Sequence, residues 1–185
     1  MMSFRRIGKL IKGSKINFYN LRCFIMRSGD FTHVAGDKVK MVDVGDKEET
    51  VRMARASGSI HLTARTMELI KEGNVKKGNV LATARIAAIQ AVKHTWETIP
   101  LCHQIPITGI DVDFEIGKED IKAIVEVRSV GKTGVEMEAL CGTGMALLTI
   151  WDMVKAVEKD DTGNYPETRI TDIIVEKKVK ESPVK

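Results

Sequence analysis

The chain has 185 residues, of which 43% are hydrophobic and 29% are charged, a composition typical of one soluble globular domain. No run approaches the ~18 uninterrupted apolar residues of a membrane span, and three widely spaced cysteines argue against a disulfide framework and favour a reducing compartment such as the cytoplasm. The formal net charge of +4 suggests a nucleic-acid or polyanion partner until that charge is located.

The positive charge lies at the amino terminus. Residues 1–25 hold six of the 29 basic residues and none of the 25 acidic ones, so the rest of the chain is close to neutral. Such a segment resembles a transit peptide but lacks its serine and alanine richness, which favours an extension before a start at Met26 or a disordered arm. We therefore expect residues 26–180 to form a single domain, followed by a loose tail over residues 181–185.

The sequence before residue 80 predicts two strands, one helix and a loop. Alternating apolar residues predict strands over residues 39–44 and 50–62, although "EETVRMARA" in the second also suits a helix. Thr63 is placed to cap a helix over residues 64–71. A glycine-bearing loop then carries the two lysines of "VKKGN".

A firmer helix follows, and then a segment of irregular chain. Asn79 is placed to cap "VLATARIAAIQAVKHTW" over residues 80–96, whose apolar residues recur every three or four positions. Pro100 and Pro106 predict extended or turning chain between them, since the residue before a proline is biased away from helix.

The second half predicts a hairpin, a long helix and a last strand. Two alternating stretches within residues 107–130 flank a turn at residues 117–120, and residues 169–179 alternate again. Between them, the helix over about residues 134–157 contains Gly142 and Gly144, which indicate close packing or a bend. Its predicted apolar face comprises Leu140, Gly144, Leu147, Leu148, Trp151 and Val154.

This element order predicts an α+β sandwich with an antiparallel sheet and helices packed on one face of it. The other face or an edge of the sheet then needs a partner subunit.

Each of three short motifs has an ordinary structural explanation as well as a functional one. "GKT" at residues 131–133 lacks the earlier glycine of a P-loop, since Glu126 stands there; local anion binding and an ordinary helix-start turn both remain open. Asp152 and Lys155 share a helix face and could be a surface ion pair. The carboxylates of "GVEMEAL" could simply favour the helix dipole.

The adjacent Cys102 and His103 invite a metal or nucleophile hypothesis. A structural zinc site needs about four ligands, usually in recognisable sequence pairs. Besides Cys102 and His103, the nearest candidate ligands are His94 and Cys141. Adjacent side chains in extended chain point to opposite sides, so we expect no metal site and an apolar filler role for Cys102. His103 then faces the other way, either as a hydrogen-bonded core histidine or as a hydrogen-bonding ligand for substrate.

Four ordered blocks, from about residue 39 to residue 160, together carry a specific resemblance. The segments "MVDVGDKEETVRMARA", "KKGNVLATARIAAIQAVKHTWETIPLCH", "GKTGVEMEAL" and "LLTIWDMVKAVEKD" resemble the cyclic pyranopterin monophosphate synthase family of molybdenum-cofactor biosynthesis. The resemblance implies a lyase that rearranges 3′,8-cyclo-7,8-dihydroguanosine triphosphate and releases pyrophosphate. It also implies a ferredoxin-like fold, a homohexamer built as a trimer of dimers, and active sites at a subunit interface.

The family's functional positions carry over onto this sequence. Its catalytic aspartate falls on Asp152 and its essential lysine on Lys155. The resemblance implies no metal and no cofactor, with magnesium beside the triphosphate left open. The substrate-binding positions fall on Leu101, Cys102, His103, Met137, Glu138, Lys77, Lys93, Lys132 and Glu136.

These residue types suit the reaction. A triphosphate brings about four negative charges, so several lysines must converge to hold it and to neutralise the pyrophosphate. We expect Lys155 to be the main general acid or base and Asp152 its partner. His103 and Glu138 would orient the purine or the sugar.

Two hypotheses from other classes compete with the lyase. A nucleic-acid-binding module would use the basic leader, but the remainder is near neutral and aromatic residues make up only 5% of the chain. A thiol redox protein would need a CxxC motif, which the sequence lacks.

Overall fold

The computed structural model describes residues 34–35 and 38–182. The predictions for residues 1–25, for a start at Met26 and for the last residues of the tail lie wholly or mostly outside that part of the chain. The main body is one antiparallel sheet with helices on one face, as the sequence predicts.

Four strands form this sheet in the order β4-β5-β3-β6: β3 (Thr50–His61), β4 (Ile107–Ile116), β5 (Asp120–Gly131) and β6 (Arg169–Glu181). Every neighbouring pair is antiparallel. The central strands β3 and β5 pair along their whole length, with Ala56 opposite Val125 and Ile60 opposite Ile121. The predicted hairpin is confirmed, and its turn closes where the Gly117 N–H donates to the Asp120 carbonyl at 2.8 Å.

The helices are α1 (Ala64–Lys71), α2 (Val80–Lys93), the single turn α3 (Thr95–Thr98) and the long α4 (Glu136–Glu158). Both predicted caps are confirmed: the Thr63 hydroxyl accepts from the Thr66 N–H at 3.3 Å, and the Asn79 side chain accepts from the Ala82 N–H at 2.9 Å. These bonds satisfy N–H groups that have no partner inside the helix.

The buried core lies between the sheet and the pair α2 and α4. Alternate residues of β3 and β5 face it, and small residues on the helices allow close approach. A β-carbon on Gly142 would lie 2.7 Å from Val92 and 3.1 Å from Val125, whereas one on Gly144 would meet nothing within 4 Å. The close-packing interpretation is therefore confirmed for Gly142 and wrong for Gly144.

Three predicted details differ from the structure. The strand predicted over residues 39–44 is wrong: only β2 (Lys38–Val39) pairs there, with β1 (Val34–Ala35), and the chain then turns where Asp43 accepts from the Gly45 N–H. The helix predicted over residues 80–96 breaks at His94, whose backbone leaves the helical region before α3 begins. Leu148, predicted on the apolar face of α4, is 54% exposed.

Helix α4 is, within the described residues, the one helix long and apolar enough by composition to cross a membrane. Its buried side chains, among them Ala146, Leu147 and Ile150, join the core cluster beneath the sheet. A core helix of a globular domain has the same length and composition, and the packing of α4 fits that description.

Candidate functional site

A carboxylate held by two lysines stands on the exposed face of α4 near its carboxyl end. The Asp152 carboxylate accepts from Lys155 Nζ at 2.8 Å and from Lys77 Nζ at 2.7 Å, one lysine on each oxygen. Lys77 Nζ also donates to the Asp152 backbone carbonyl at 2.6 Å. The structure thus brings together three of the predicted site residues in one cluster, which we call the Asp152 cluster.

Local sequence explains how the three side chains meet. Asp152 and Lys155 are three residues apart in a helix and therefore lie on one face. Lys77 comes from the loop between α1 and α2, which turns at Gly73 and Gly78. Both glycines have positive φ angles, 72° and 100°, a conformation that side-chain-bearing residues rarely adopt.

The cluster favours the ionised form of Asp152 and the protonated form of Lys155. Hydrogen bonds from Lys155 and Lys77 lower the pKa of Asp152 to about 2, and the hydrogen bond to Asp152 raises the pKa of Lys155. About half of each side chain is exposed. In the free chain, the cluster therefore offers two ammonium groups to an incoming anion and a proton on Lys155, rather than a ready base.

A second group of predicted site residues lines a cavity of about 290 Å³ near the amino end of α4. Its walls come from the turn after α3, from the start of α4 and from the irregular segment that follows β2. The predicted residues on its lining are Leu101, Cys102, His103, Met137 and Glu138.

Glu138 is the most unusual group in this cavity. It is 4% exposed, and its Oε2 atom is buried without a hydrogen-bond partner in the described part of the chain. Burial and the nearby Glu136 carboxylate raise its pKa to about 7. Glu138 can thus hold or give up a proton near neutral pH, and its free oxygen is available to a ligand's donor.

Cys102 and His103 correct the expectation that they face opposite sides. Both line the same cavity, because the chain turns there, with the Cys102 N–H donating to the Ile99 carbonyl at 3.0 Å, instead of running extended. Burial, followed by the charge of Glu138, raises the pKa of the Cys102 thiol. A protonated thiol is a weak nucleophile, so this environment disfavours a nucleophilic role for Cys102.

The remaining predicted residues lie near one cluster or apart from both. Lys132 donates to the Gly45 carbonyl at 2.5 Å, beside the cavity. Glu136 is paired with Lys178 of β6 at 2.6 Å. Lys93 lines a separate depression that shares Ile105 with the cavity. One chain therefore does not gather the four predicted lysines around one point.

The segment that covers the cavity holds residues that were not among the predicted site residues. Val42, Val44 and Lys47 line it, and Lys132 ties this segment to the rest of the domain through Gly45. The alternation of Val42 and Val44 was interpreted as a strand, although Asp43 and Gly45 between and after them are turn-forming residues. That turn chemistry is the signal that could have identified a covering loop with its own cation.

The two clusters are far apart along a single helix. Glu138 and Asp152 both belong to α4, and at the usual helical rise of about 1.5 Å per residue their Cα atoms are about 21 Å apart. No atom of one ligand can contact both side chains within one chain. The structure therefore places predicted site residues of one chain in two separate clusters.

A metal site requires several ligand side chains close together. Within residues 34–35 and 38–182, no three or more His, Cys, Asp or Glu side chains lie close enough to hold a metal ion. Cys102 and His103 share a cavity wall, but His94 and Cys141 line a different depression.

Comparison with known proteins identifies the family. A profile described as the MoaC family matches residues 41–180. A protein of Methanosarcina acetivorans named "Probable cyclic pyranopterin monophosphate synthase" is 65% identical over 150 residues, which cover 81% of this chain and 95% of that protein. A protein of Thermococcus onnurineus with the same name is 62% identical over 152 residues, covering 82% of this chain and 97% of its own. By the extent of the profile match and by these identities, the chain belongs to the MoaC family.

Proposed function

We propose that the chain is a cyclic pyranopterin monophosphate synthase. It converts 3′,8-cyclo-7,8-dihydroguanosine 5′-triphosphate to cyclic pyranopterin monophosphate and releases pyrophosphate, an early step of molybdenum-cofactor biosynthesis. The family membership and the names of the relatives support this activity. The observation in the structure that carries it is the Asp152 cluster, a carboxylate clamped between Lys77 and Lys155.

The charge pattern of the cluster suits a polyphosphate substrate. In the free chain, Asp152 occupies both ammonium groups. A triphosphate competes for these donors and gains charge-assisted hydrogen bonds that strengthen as negative charge moves onto the departing pyrophosphate. We assign Lys77 to this electrostatic role, because its Nζ reaches the cluster from a loop rather than from the rigid helix.

Lys155 is then the principal proton donor, with Asp152 as its partner. Its raised pKa means that it enters the reaction protonated, so its first step is to give a proton to the substrate. Once it has done so, the neutral amine beside Asp152 can take a proton from a later intermediate. His103 and Glu138 orient the purine or the sugar from the cavity. The free Oε2 of Glu138 accepts a hydrogen bond from an N–H group of the base.

The complete site is proposed to lie between two copies of the chain. About 21 Å of helix separates Glu138 from Asp152, so the cavity of one copy must face the Asp152 cluster of its partner for both to act on one substrate. This separation supports the dimer unit expected of the family, and we further propose that three such dimers assemble into a homohexamer. The protein is proposed to work in the cytoplasm without nucleic acid, membrane or a metal of its own, with magnesium accompanying the triphosphate left open.

The direct test is to incubate the purified protein with the cyclic dihydroguanosine triphosphate and to measure pyrophosphate release. We expect turnover by the wild type and a loss on the order of 10²-fold or more for Lys155→Ala, the usual scale for removing a general acid or base. Circular dichroism should show an unchanged fold, because Lys155 is exposed. Turnover of Lys155→Ala within about tenfold of wild type would remove it from this role.

A mixing experiment tests the shared site. His103→Ala and Lys155→Ala are each expected to be inactive, but a heterodimer holds one intact site if the two residues act from different chains. Random re-association of equal amounts should then restore about a quarter of the wild-type sites, as expected for a two-fold symmetric interface. If the mixture stays as inactive as its components, then both residues act from the same chain and the proposed arrangement is wrong.

A further inference from the structure

Glu158, the last residue of α4, is a buried carboxylate outside both clusters. It is 4% exposed. Its Oε1 atom accepts from the Thr63 hydroxyl at 2.8 Å and from the Thr63 N–H at 3.2 Å. Its Oε2 atom accepts from the buried Thr168 hydroxyl at 2.5 Å. One carboxylate thus joins the end of α4, the start of α1 and the chain entering β6.

Burying this carboxylate costs free energy, and no basic side chain of the described residues neutralises it. Among the described residues, no lysine or arginine forms an ion pair with Glu158. A buried carboxylate without a partner charge is tolerated only when its oxygens are fully hydrogen-bonded. The carboxylate therefore holds these hydrogen-bond donors in place, because moving any one of them would leave a buried carboxylate oxygen without a hydrogen bond.

The segment anchored in this way is the one that carries Lys77. From Thr63, which contacts the end of α4, the chain forms α1 and then the loop. It returns to α4 at Lys77, whose Nζ contacts Asp152. Met67 of α1 is buried in the core, and Ile70 and Val75 pack against that core, so apolar contacts hold the middle of the segment and polar contacts hold its two ends against α4. Its two polar attachments to α4, at Glu158 and at Asp152, lie six residues apart on that helix, or about 9 Å along it; Lys71 Nζ also donates to the Gly117 carbonyl at 3.4 Å.

We infer that Glu158 is a positioning residue for Lys77. It fixes the start of α1 against α4, and this contact sets where the loop delivers the Lys77 ammonium group relative to Asp152. The inference rests on the proposed function for its kinetic consequence, but the geometry it describes exists without substrate. Glu158 itself touches no reacting atom in this arrangement.

A double-mutant cycle tests the link. Glu158→Ala should lower kcat/KM by on the order of 10²-fold, the scale of misplacing a substrate-binding group. In a Lys77→Ala background the same change should have almost no further effect on kcat/KM, because the group it positions is gone. The loss of thermal stability should be the same in both backgrounds. Glu158→Gln, which can still accept from Thr63 and donate to Thr168, should restore most of the activity.

Ile150→Val is the matched control. Ile150 is fully buried in the same helix and belongs to the apolar core without forming either of the polar links to the Lys77 segment, so its substitution should lower Tm and leave kcat/KM unchanged. If Glu158→Ala does not fold, Thr63→Val replaces it, since valine keeps the shape of threonine but removes the hydroxyl that donates to Glu158; the cap on the Thr66 N–H is lost with it. Independent losses from Glu158→Ala and Lys77→Ala that multiply in the double variant would overturn the inference.

A measurement without substrate separates this inference from the proposed function. The carboxyl carbon of Asp152 can be titrated by nuclear magnetic resonance, with Asp152→Asn used to assign its signal. Displacing Lys77 should raise the pKa of Asp152 from about 2 in Glu158→Ala as it does in Lys77→Ala. An unchanged Asp152 pKa in Glu158→Ala contradicts the inference even if the enzyme is active, whereas a wild type without turnover and a shifted pKa contradict only the proposed function.

Discussion

The two glycines of α4 offer a sharp test of how closely α2 packs against it. A β-carbon on Gly142 would lie 2.7 Å from Val92 Cγ2, 3.1 Å from Val125 Cγ1 and 3.4 Å from the Ala88 carbonyl oxygen. Both valines are buried, and their branched side chains have few alternative rotamers. Gly142→Ala therefore forces the helices apart instead of filling a space.

The expected free-energy changes follow from two opposing effects. Overpacking a close-packed core costs about 1–3 kcal/mol, and replacing a mid-helix glycine by alanine gains about 1 kcal/mol. Gly142→Ala should therefore reduce the free energy of unfolding by about 1 kcal/mol. Gly144→Ala, two residues away with nothing within 4 Å of the added carbon, should show only the gain, about 1 kcal/mol.

Thermal unfolding of the two variants at one protein concentration measures the difference. A gap of about 2 kcal/mol corresponds to roughly 4–8 °C in Tm for a chain of this size. Equal Tm values for the two variants would refute the reasoning, because they would mean that Val92 and Val125 can yield at no cost and that Gly142 is not needed for the approach of α2 to α4.

Three further predictions concern the cavity and the amino terminus. Burial raises the pKa of Glu138 from 4.5 to about 7, so the folded state binds more protons than the unfolded state between these values and stability falls as pH rises through them. The fall in the free energy of unfolding is at most about 3 kcal/mol, and Glu138→Gln should remove it. Urea unfolding from pH 4.5 to slightly alkaline pH should show stability falling with pH in the wild type and not in the variant. Cys102→Ala should retain pyrophosphate release without added zinc; inactivation by a zinc-selective chelator would contradict the metal-free site. Deletion of residues 1–25 should leave both Tm and turnover unchanged, and a loss of either would place that segment within the working enzyme.

Much of the fold could be predicted because its signals are local. The caps at Thr63 and Asn79 need only an N–H three residues away, and β3 and β5 alternate because one face of each is buried. The same locality explains the error over residues 39–44. Alternation also occurs in a loop that lies over a cavity, and nothing local says that Val42 and Val44 face a cavity instead of a neighbouring strand.

The sequence by itself determined the family and the order of the main elements, and it predicted candidate site residues, since these depend on residue types and spacings along the chain. Only the tertiary structure decided which of those residues meet. Lys77 reaches Asp152 from 75 residues away, Glu158 reaches Thr63 from 95 residues away, and Glu138 lies too far along α4 to join them. Distances and burial of this kind arise from the packing of separate segments, and spacing along the chain does not contain them.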